Sequence, residues 1–297
     1  MTSAGRPGLR AAVLGHPISH SHSPVLHRAA YAALGLDGWR YDAVDVTEEQ
    51  LPDVVRGLDG SWAGLSLTMP LKTAVLPLLD HVEPLAAVVG AVNTLLVQQA
   101  AGSRPVLVGA NTDVHGIVAA VREALGAHPV QRAVVLGSGA TAASALAAIA
   151  ELGCPAPGVF VRTMARAGST MRAAHRMGVE PRFLVWDPVE RLLESLRTAD
   201  LVVSTLPPHG ADPLAERLIA AAPTEELRGV LLDCAYDPRP TAFLSAWTAS
   251  GGRGVTGERM LLHQATEQVR LMTGRPAPVD AMERALEDAL LHAPVQG

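Results

Sequence analysis

Residues 132–153 read RAVVLGSGATAASALAAIAELG, and this stretch limits the fold more than any other in the chain. Four aliphatic residues, Ala133 to Leu136, are too short a run for a buried helix and suit a fully buried strand. Gly137-Ser-Gly139 then makes a turn with little room for side chains, and the alanine-rich segment after it is a strong helix former. A buried strand, a tight turn and a helix form the unit from which sheets wound with helices are built. The same alternation recurs in LRAAVLG (9–15), WRYDAVDV (39–46), SWAGLSLTMPLK (61–72), VLVGANTD (106–113), GVFVRT (158–163), RFLVWD (182–187), LVVSTLPP (201–208) and VLLDCAYDP (230–238). It predicts an α/β protein with parallel sheets. Ser23 as N-cap before Pro24, and Thr47 opening TEEQ as a capping box, mark two helix starts. The tail from 257 to 292 reads as helical, broken only at Pro276 and Pro278.

A glycine turn between strand and helix also suits a dinucleotide. Backbone N–H groups at Gly137, Ser138, Gly139, Ala140 and Thr141 can approach a pyrophosphate, and the helix N-terminus favours its charge. At the end of the next strand Arg162 and Arg166 flank Thr163, where an NAD site places an acidic residue. Two guanidiniums and a hydroxyl suit a 2′-phosphate instead, so NADP is expected. The alternatives are an ordinary tight turn and an exposed basic helix start.

In the first half, one residue stands out through scarcity. Of 24 basic residues 23 are arginine, and Lys72 is the only lysine. Guanidinium cannot release its proton at physiological pH, whereas an ammonium can, so Lys72 is a candidate acid/base with Asp113 as its partner. A structural salt bridge is the competing reading. The only two asparagines, Asn93 and Asn111, each precede threonine near apparent strand ends, placed either to bind ligand hydroxyls or to tie loops together.

Residues 15–27, GHPISHSHSPVLH, hold four histidines and three serines. Ser21 and Ser23, two apart on extended chain before a helix start, make a hydroxyl cradle for a carboxylate, with a plain helix cap and a metal site as alternatives. A net charge of −5 and 3% aromatic residues argue against nucleic acid and anionic membrane as partners. No apolar run reaches the length of about twenty residues that spans a bilayer, and the first ten residues lack a signal peptide's apolar stretch. Two lone cysteines, Cys154 and Cys234, fit a reducing compartment, so a cytoplasmic enzyme acting on a small molecule is expected, as a monomer or homodimer.

Together these segments resemble the shikimate dehydrogenases over essentially the whole chain. The carrying motifs are Gly15 to Pro24, Gly64-Leu-Ser66-Leu-Thr68-Met-Pro70-Leu-Lys72, GAVNT (90–94), NTDVHG (111–116), the glycine turn, STLP (204–207), DCAYDP (233–238) and GERMLLHQA (257–265). The resemblance implies reversible NADPH-dependent reduction of 3-dehydroshikimate to shikimate, a step of aromatic amino-acid biosynthesis. It implies that Ser21 and Ser23 hold the ring carboxylate, and that Thr68, Asn93, Asp113 and Gln264 bind ring hydroxyls with Tyr236 nearby. Lys72 and Asp113 are then the catalytic pair. Gly137 to Thr141, Arg162, Thr163 and Arg166 hold NADP, and the backbones of Cys234 and Gly257 line its nicotinamide; no metal is called for. The family fold places a substrate domain at 1–112 plus 256–297 and a Rossmann-like NADP domain at 113–255, with C-terminal helices returning to the first domain. Two positions depart from the family pattern: Ser66 stands where asparagine is usual, and Val161 where asparagine commonly precedes Arg-Thr. A quinate/shikimate dehydrogenase using NAD is the nearest alternative. A non-catalytic nucleotide-binding protein and a histidine-dependent metal hydrolase are more distant ones.

Overall fold

The computed structural model describes residues 8–99, 104–220 and 227–292. The chain forms two compact units, one of residues 1–87, 91–112 and 265–297, the other of residues 88–90 and 113–264.

The first unit is built on β1 (Arg10–Gly15), α1 (Ser23–Ala33), β2 (Arg40–Asp45), α2 (Leu51–Arg56), β3 (Trp62–Leu67), α3 (Leu71–Ala74), β4 (His81–Val82), α4 (Pro84–Val89), β5 (Thr94–Gln98) and β6 (Val106–Ala110). Its six strands lie in the order β2-β1-β3-β5-β6-β4. β1 runs parallel to β2 and β3, but β5 runs antiparallel to both β3 and β6. The sequence alternation predicts parallel sheets throughout, and here that expectation is corrected. The link from Gln98 to Val106 is too short for a crossover helix, so β5 and β6 must pair as a hairpin. Leu14, Leu51, Leu65, Leu71 and Leu95 form the centre of this unit's core.

Both predicted helix starts shift on inspection. α1 begins at Ser23 with His22 as its N-cap, so Ser23 occupies the first helical position and Ser21 Oγ accepts its N–H at 3.3 Å. α2 begins at Leu51, not Thr47; the Gln50 side chain still accepts the Thr47 N–H at 3.0 Å, half of a capping box. Pro52, next to that start, has the fixed φ that suits a first helical turn.

The second unit contains α5 (Asp113–Leu125), β7 (Ala133–Leu136), α6 (Ala140–Glu151), β8 (Gly158–Val161), α7 (Gly168–Met177), β9 (Arg182–Val185), α8 (Val189–Thr198), β10 (Leu201–Ser204), α9 (Asp212–Ala220), β11 (Val230–Asp233), α10 (Ala242–Ala249) and β12 (Arg253–Val255). Its strands, in the order β12-β11-β10-β7-β8-β9, are all parallel. That is the doubly wound order, with its reversal between β7 and β10. Strands β7, β10 and β11 are buried at every residue, which explains their unbroken aliphatic runs.

The tail forms α11 (Gly257–Thr273) and α12 (Val279–His292), and α12 packs on α1 in the first unit. The division between units falls within α11, after Gln264.

Trp247 is fully buried in the second core and its indole N–H donates to the Gly229 carbonyl at 3.2 Å. Trp247→Ala removes the largest side chain of that core and one of the two hydrogen bonds to the Gly229 carbonyl, which keeps the Arg253 N–H at 3.0 Å. We expect a loss of about 3–5 kcal/mol in urea unfolding; a loss below about 1 kcal/mol would show that the core closes over the gap.

Candidate active site

The sequence-predicted residues of the first unit gather at one end of its sheet. The carboxyl end of β1 leads to Ser21 and Ser23, that of β3 to Thr68 and Lys72, and that of β6 to Asp113; Asn93 directly precedes the antiparallel β5. Ligands collect at such strand ends in open α/β sheets. Gly15 has no room for a side chain, since a Cβ would press into Thr68. The Thr68 N–H donates to the Leu14 carbonyl at 2.9 Å, tying the two loops together.

Lys72 is half-buried on the short helix α3, and its carbonyl accepts the Val92 N–H at 2.8 Å. The next residue, Asn93, is 2% exposed and clamps Thr112 from both sides. Its Nδ2 donates to Thr112 Oγ1 at 2.9 Å, and its Oδ1 accepts the Thr112 N–H at 2.8 Å. Thr112 is peptide-linked to Asp113, the buried first residue of α5. A chain of short bonds therefore leads from the lysine loop to the aspartate. Asn111 serves the same end, donating to the Ala91 carbonyl at 2.9 Å. Both asparagines thus tie loops; Asn93 is fixed by Thr112 before it meets any ligand.

Behind these residues lies a buried polar network that the sequence reading missed. Gln268 on α11, 1% exposed, accepts from Ser66 Oγ at 2.9 Å and from His27 Nε2 at 3.2 Å. Its Nε2 donates to the Asn93 carbonyl at 3.2 Å and to Thr94 Oγ1 at 3.0 Å. Tyr41 donates to Ser66 Oγ at 2.7 Å, and the same phenol hydrogen-bonds with Ser23. Ser66 is therefore a buried joint between Tyr41 and Gln268. His27 stacks on Tyr41 with ring centroids 4.0 Å apart. The signal for Gln268 was its spacing, one helical turn after Gln264, on a helix whose neighbouring positions are apolar.

The other histidines of the opening segment divide their tasks. His16 pairs with Asp45 at 2.6 Å, and Asp45 also accepts the Ile18 N–H at 3.2 Å. His20 is exposed. Among the described residues, no group of three or more His, Cys, Asp or Glu side chains is arranged to hold a metal ion.

In the second unit, Gly137 adopts φ 110°, a left-handed conformation that favours glycine, and a Cβ there would stand 2.6 Å from Thr205 Oγ1. Gly139 is the N-cap of α6, no side chain caps that helix, and a Cβ on Gly139 would meet nothing within 4 Å. An uncapped twelve-residue helix facing open space fits a pyrophosphate. Thr170 Oγ1 donates to the Ser138 carbonyl at 2.6 Å and Ser138 Oγ to the Arg166 carbonyl at 3.3 Å, so the turn and the basic segment are joined. Arg162, Thr163 and Arg166 are all exposed there. Arg162 lies over the Trp186 ring at 5.4 Å and donates to the Gly210 carbonyl at 2.7 Å. These groups fit the adenosine 2′-phosphate of NADP. Val161, where the family commonly has asparagine, is buried in β8.

Gly257 touches the Cys234 backbone so closely that a Cβ would lie 2.5 Å from its carbonyl oxygen. Burial and the nearby carboxylates of Glu258 and Asp237 push the Tyr236 phenol up to about 12, so it remains an O–H donor at neutral pH. Gly116 lets α5 approach α11; a Cβ there would stand 2.9 Å from Gln264 Cβ. Asp113 and Gln264 thus sit on closely packed helices.

A buried polar cradle at the sheet ends of one unit, and an uncapped glycine turn in the other, define a dinucleotide-dependent α/β enzyme. The comparisons specify which. The model of the shikimate dehydrogenase substrate binding domain matches residues 13–95, and that of the shikimate 5′-dehydrogenase C-terminal domain matches residues 257–287. A shikimate dehydrogenase (NADP(+)) of Rubrobacter xylanophilus is 38% identical over 281 residues, covering 92% of this chain and 94% of its own. The crystal structure of Mycobacterium tuberculosis shikimate dehydrogenase superposes with a TM-score of 0.81 at 39% identity, covering 94% of this chain and 99% of its own. That of shikimate 5-dehydrogenase from Thermus thermophilus in complex with NADP(H) and shikimate gives 0.77 at 35% identity, with 95% and 99% covered. The chain belongs to the shikimate dehydrogenase family.

Burial holds His27 neutral by pushing its pKa down from 6.5 to about 4. The unfolded chain takes up a proton below about pH 6.5 and the folded chain does not until about pH 4. His27 thus contributes stability above pH 6.5 that is lost as pH falls toward 4, up to about 3 kcal/mol. His27→Gln is expected to flatten that part of the stability–pH curve in denaturant titrations. Parallel wild-type and variant curves would show that the ring is protonated in the fold.

Proposed function

We propose that this chain catalyses the reversible NADPH-dependent reduction of 3-dehydroshikimate to shikimate, serving aromatic amino-acid biosynthesis in the cytoplasm. The bonded path from the Lys72 carbonyl through Val92 and Asn93 to Thr112 and Asp113 is the observation that supports it most directly. It fixes an ammonium-bearing loop and a buried carboxylate to one frame, as proton transfer at a carbonyl oxygen requires.

Bound NADPH supplies a hydride to the ring carbonyl carbon. The Lys72 ammonium gives its proton to the carbonyl oxygen and recovers it in the reverse direction. Asp113 is the carboxylate partner that holds the ammonium in place. The Ser21 and Ser23 hydroxyls hold the ring carboxylate, Ser23 donating to it once its hydrogen is released from the Tyr41 oxygen. Thr68, Asn93 and Gln264 meet the ring hydroxyls, with the Tyr236 O–H close by. Residues Gly137 to Thr141 hold the pyrophosphate, Arg162, Thr163 and Arg166 the 2′-phosphate, and the Cys234 and Gly257 backbones the nicotinamide. In this reading residues 1–112 plus 256–297 carry substrate and 113–255 carry cofactor.

The test is absorbance at the nicotinamide band with shikimate and quinate, each offered NADP and NAD. Turnover is expected with shikimate and NADP; its absence would overturn the reading. Lys72→Ala should lower kcat by about 10²–10⁴, and near-normal turnover would remove Lys72 from the chemistry. Arg162→Ala should raise KM for NADPH about tenfold while leaving KM for NADH nearly unchanged. Equal effects on both cofactors would mean that Arg162 supports the loop rather than the phosphate.

A further inference from the structure

The sheet of the second unit has two ends, and the dinucleotide chemistry uses only the carboxyl one. At the amino end the first residues of four neighbouring strands stand in register: Ala133 beside Leu201, Leu201 beside Val230, and Val230 beside Arg253. A groove of about 730 Å³ opens there, and four arginines line it: Arg132, Arg197, Arg228 and Arg253. They come from the starts of β7, β11 and β12 and the last turn of α8. The chain as a whole carries a net charge of −5, so four cations in one concavity run against its overall balance.

Among the described residues Asp200 is the only carboxylate lining the groove, and it makes no ion pair with the arginines. Its Oδ2 accepts the backbone N–H groups of Gln131 at 2.9 Å and Arg132 at 2.8 Å. Arg197 meets Glu194 only at 3.9 Å, on its own helix. Arg253 donates through Nη1 to the Ala124 carbonyl in the last turn of α5 at 2.6 Å and meets no carboxylate among the described residues. Arg132 and Arg228 make no ion pair among the described residues. The backbone N–H groups of Asp200, Val230 and Arg253 are spent on the carbonyls of Arg132, Asp200 and Gly229 at 2.8, 3.0 and 3.0 Å. Recognition falls to the guanidiniums, whose planar forks match phosphate oxygens.

We propose that this groove is a second anion site, separate from the cofactor turn, that binds a short polyphosphate chain. Four cations from three strands and a helix exceed what one monovalent carboxylate can engage, and the volume admits several linked phosphates. The chain could belong to inorganic polyphosphate or to a nucleoside triphosphate, which present the same linked phosphates.

Isothermal titration calorimetry on the full chain, saturated with NADP so that the cofactor turn is filled, tests this with tripolyphosphate, ATP and citrate. Saturable one-to-one binding of tripolyphosphate is expected, weakening as salt is raised. Arg132→Gln combined with Arg228→Gln should weaken it about tenfold or more while NADP affinity and shikimate turnover stay unchanged. ATP binding equal to tripolyphosphate assigns recognition to the phosphates alone, and tighter ATP binding adds the nucleoside; both uphold the site. Absence of saturable binding, binding unaltered in the double variant, or citrate binding as tightly as tripolyphosphate would overturn it.

Discussion

A single buried amide holds the first unit together. Gln268 is 1% exposed, and its oxygen and nitrogen meet α1 through His27, β3 through Ser66, and the start of β5 through Asn93 and Thr94. A buried polar group left without partners is expensive, so each of these elements can occupy only the position that completes the set. The consequences reach the proposed cradle. Ser66 passes the order on to Tyr41, whose phenol reaches Ser23. Asn93, pinned by Gln268 through its carbonyl, pins Thr112 and with it the start of α5. Of the residues proposed for substrate, Asn93 and Ser23 are thus held by Gln268, Ser66 and Tyr41 from behind.

This arrangement also gives meaning to the serine at position 66. Where the family usually has asparagine, the smaller hydroxyl is taken up by Tyr41 and Gln268. Tyr41 is the only buried residue of the edge strand β2, so the strand contributes one aromatic group and otherwise faces solvent. The departure seen in the sequence is absorbed by a partner more than twenty residues away.

The two units solve different problems with similar parts. In the second, an all-parallel sheet buried on both faces leaves its helices to cover it and its turns to bind, which is why β7 and its glycine turn announced themselves in the sequence. In the first, the β5–β6 hairpin reverses one strand, and this reversal puts Asn93 at the same sheet end as Lys72. A purely parallel arrangement would have placed the start of β5 at the opposite end.

Local pattern carried much of this. The sequence alone determined the alternation of strands and helices, the glycine turn with its following helix, the basic segment at 162–166, and the candidacy of Lys72, because each depends on residue type and near-neighbour spacing. Helix starts were less legible: Ser23 and Thr47 have the composition of caps, yet the helices begin at Ser23 itself and at Leu51. Only the tertiary structure decided the reversal of β5, the loop-tying role of both asparagines, the Gln268 network and the gathering of four arginines at one sheet end. Those features join residues tens to hundreds of positions apart, as His27 to Gln268 shows. Their cause is the requirement that buried donors and acceptors be satisfied and that strand ends align, which local composition does not encode.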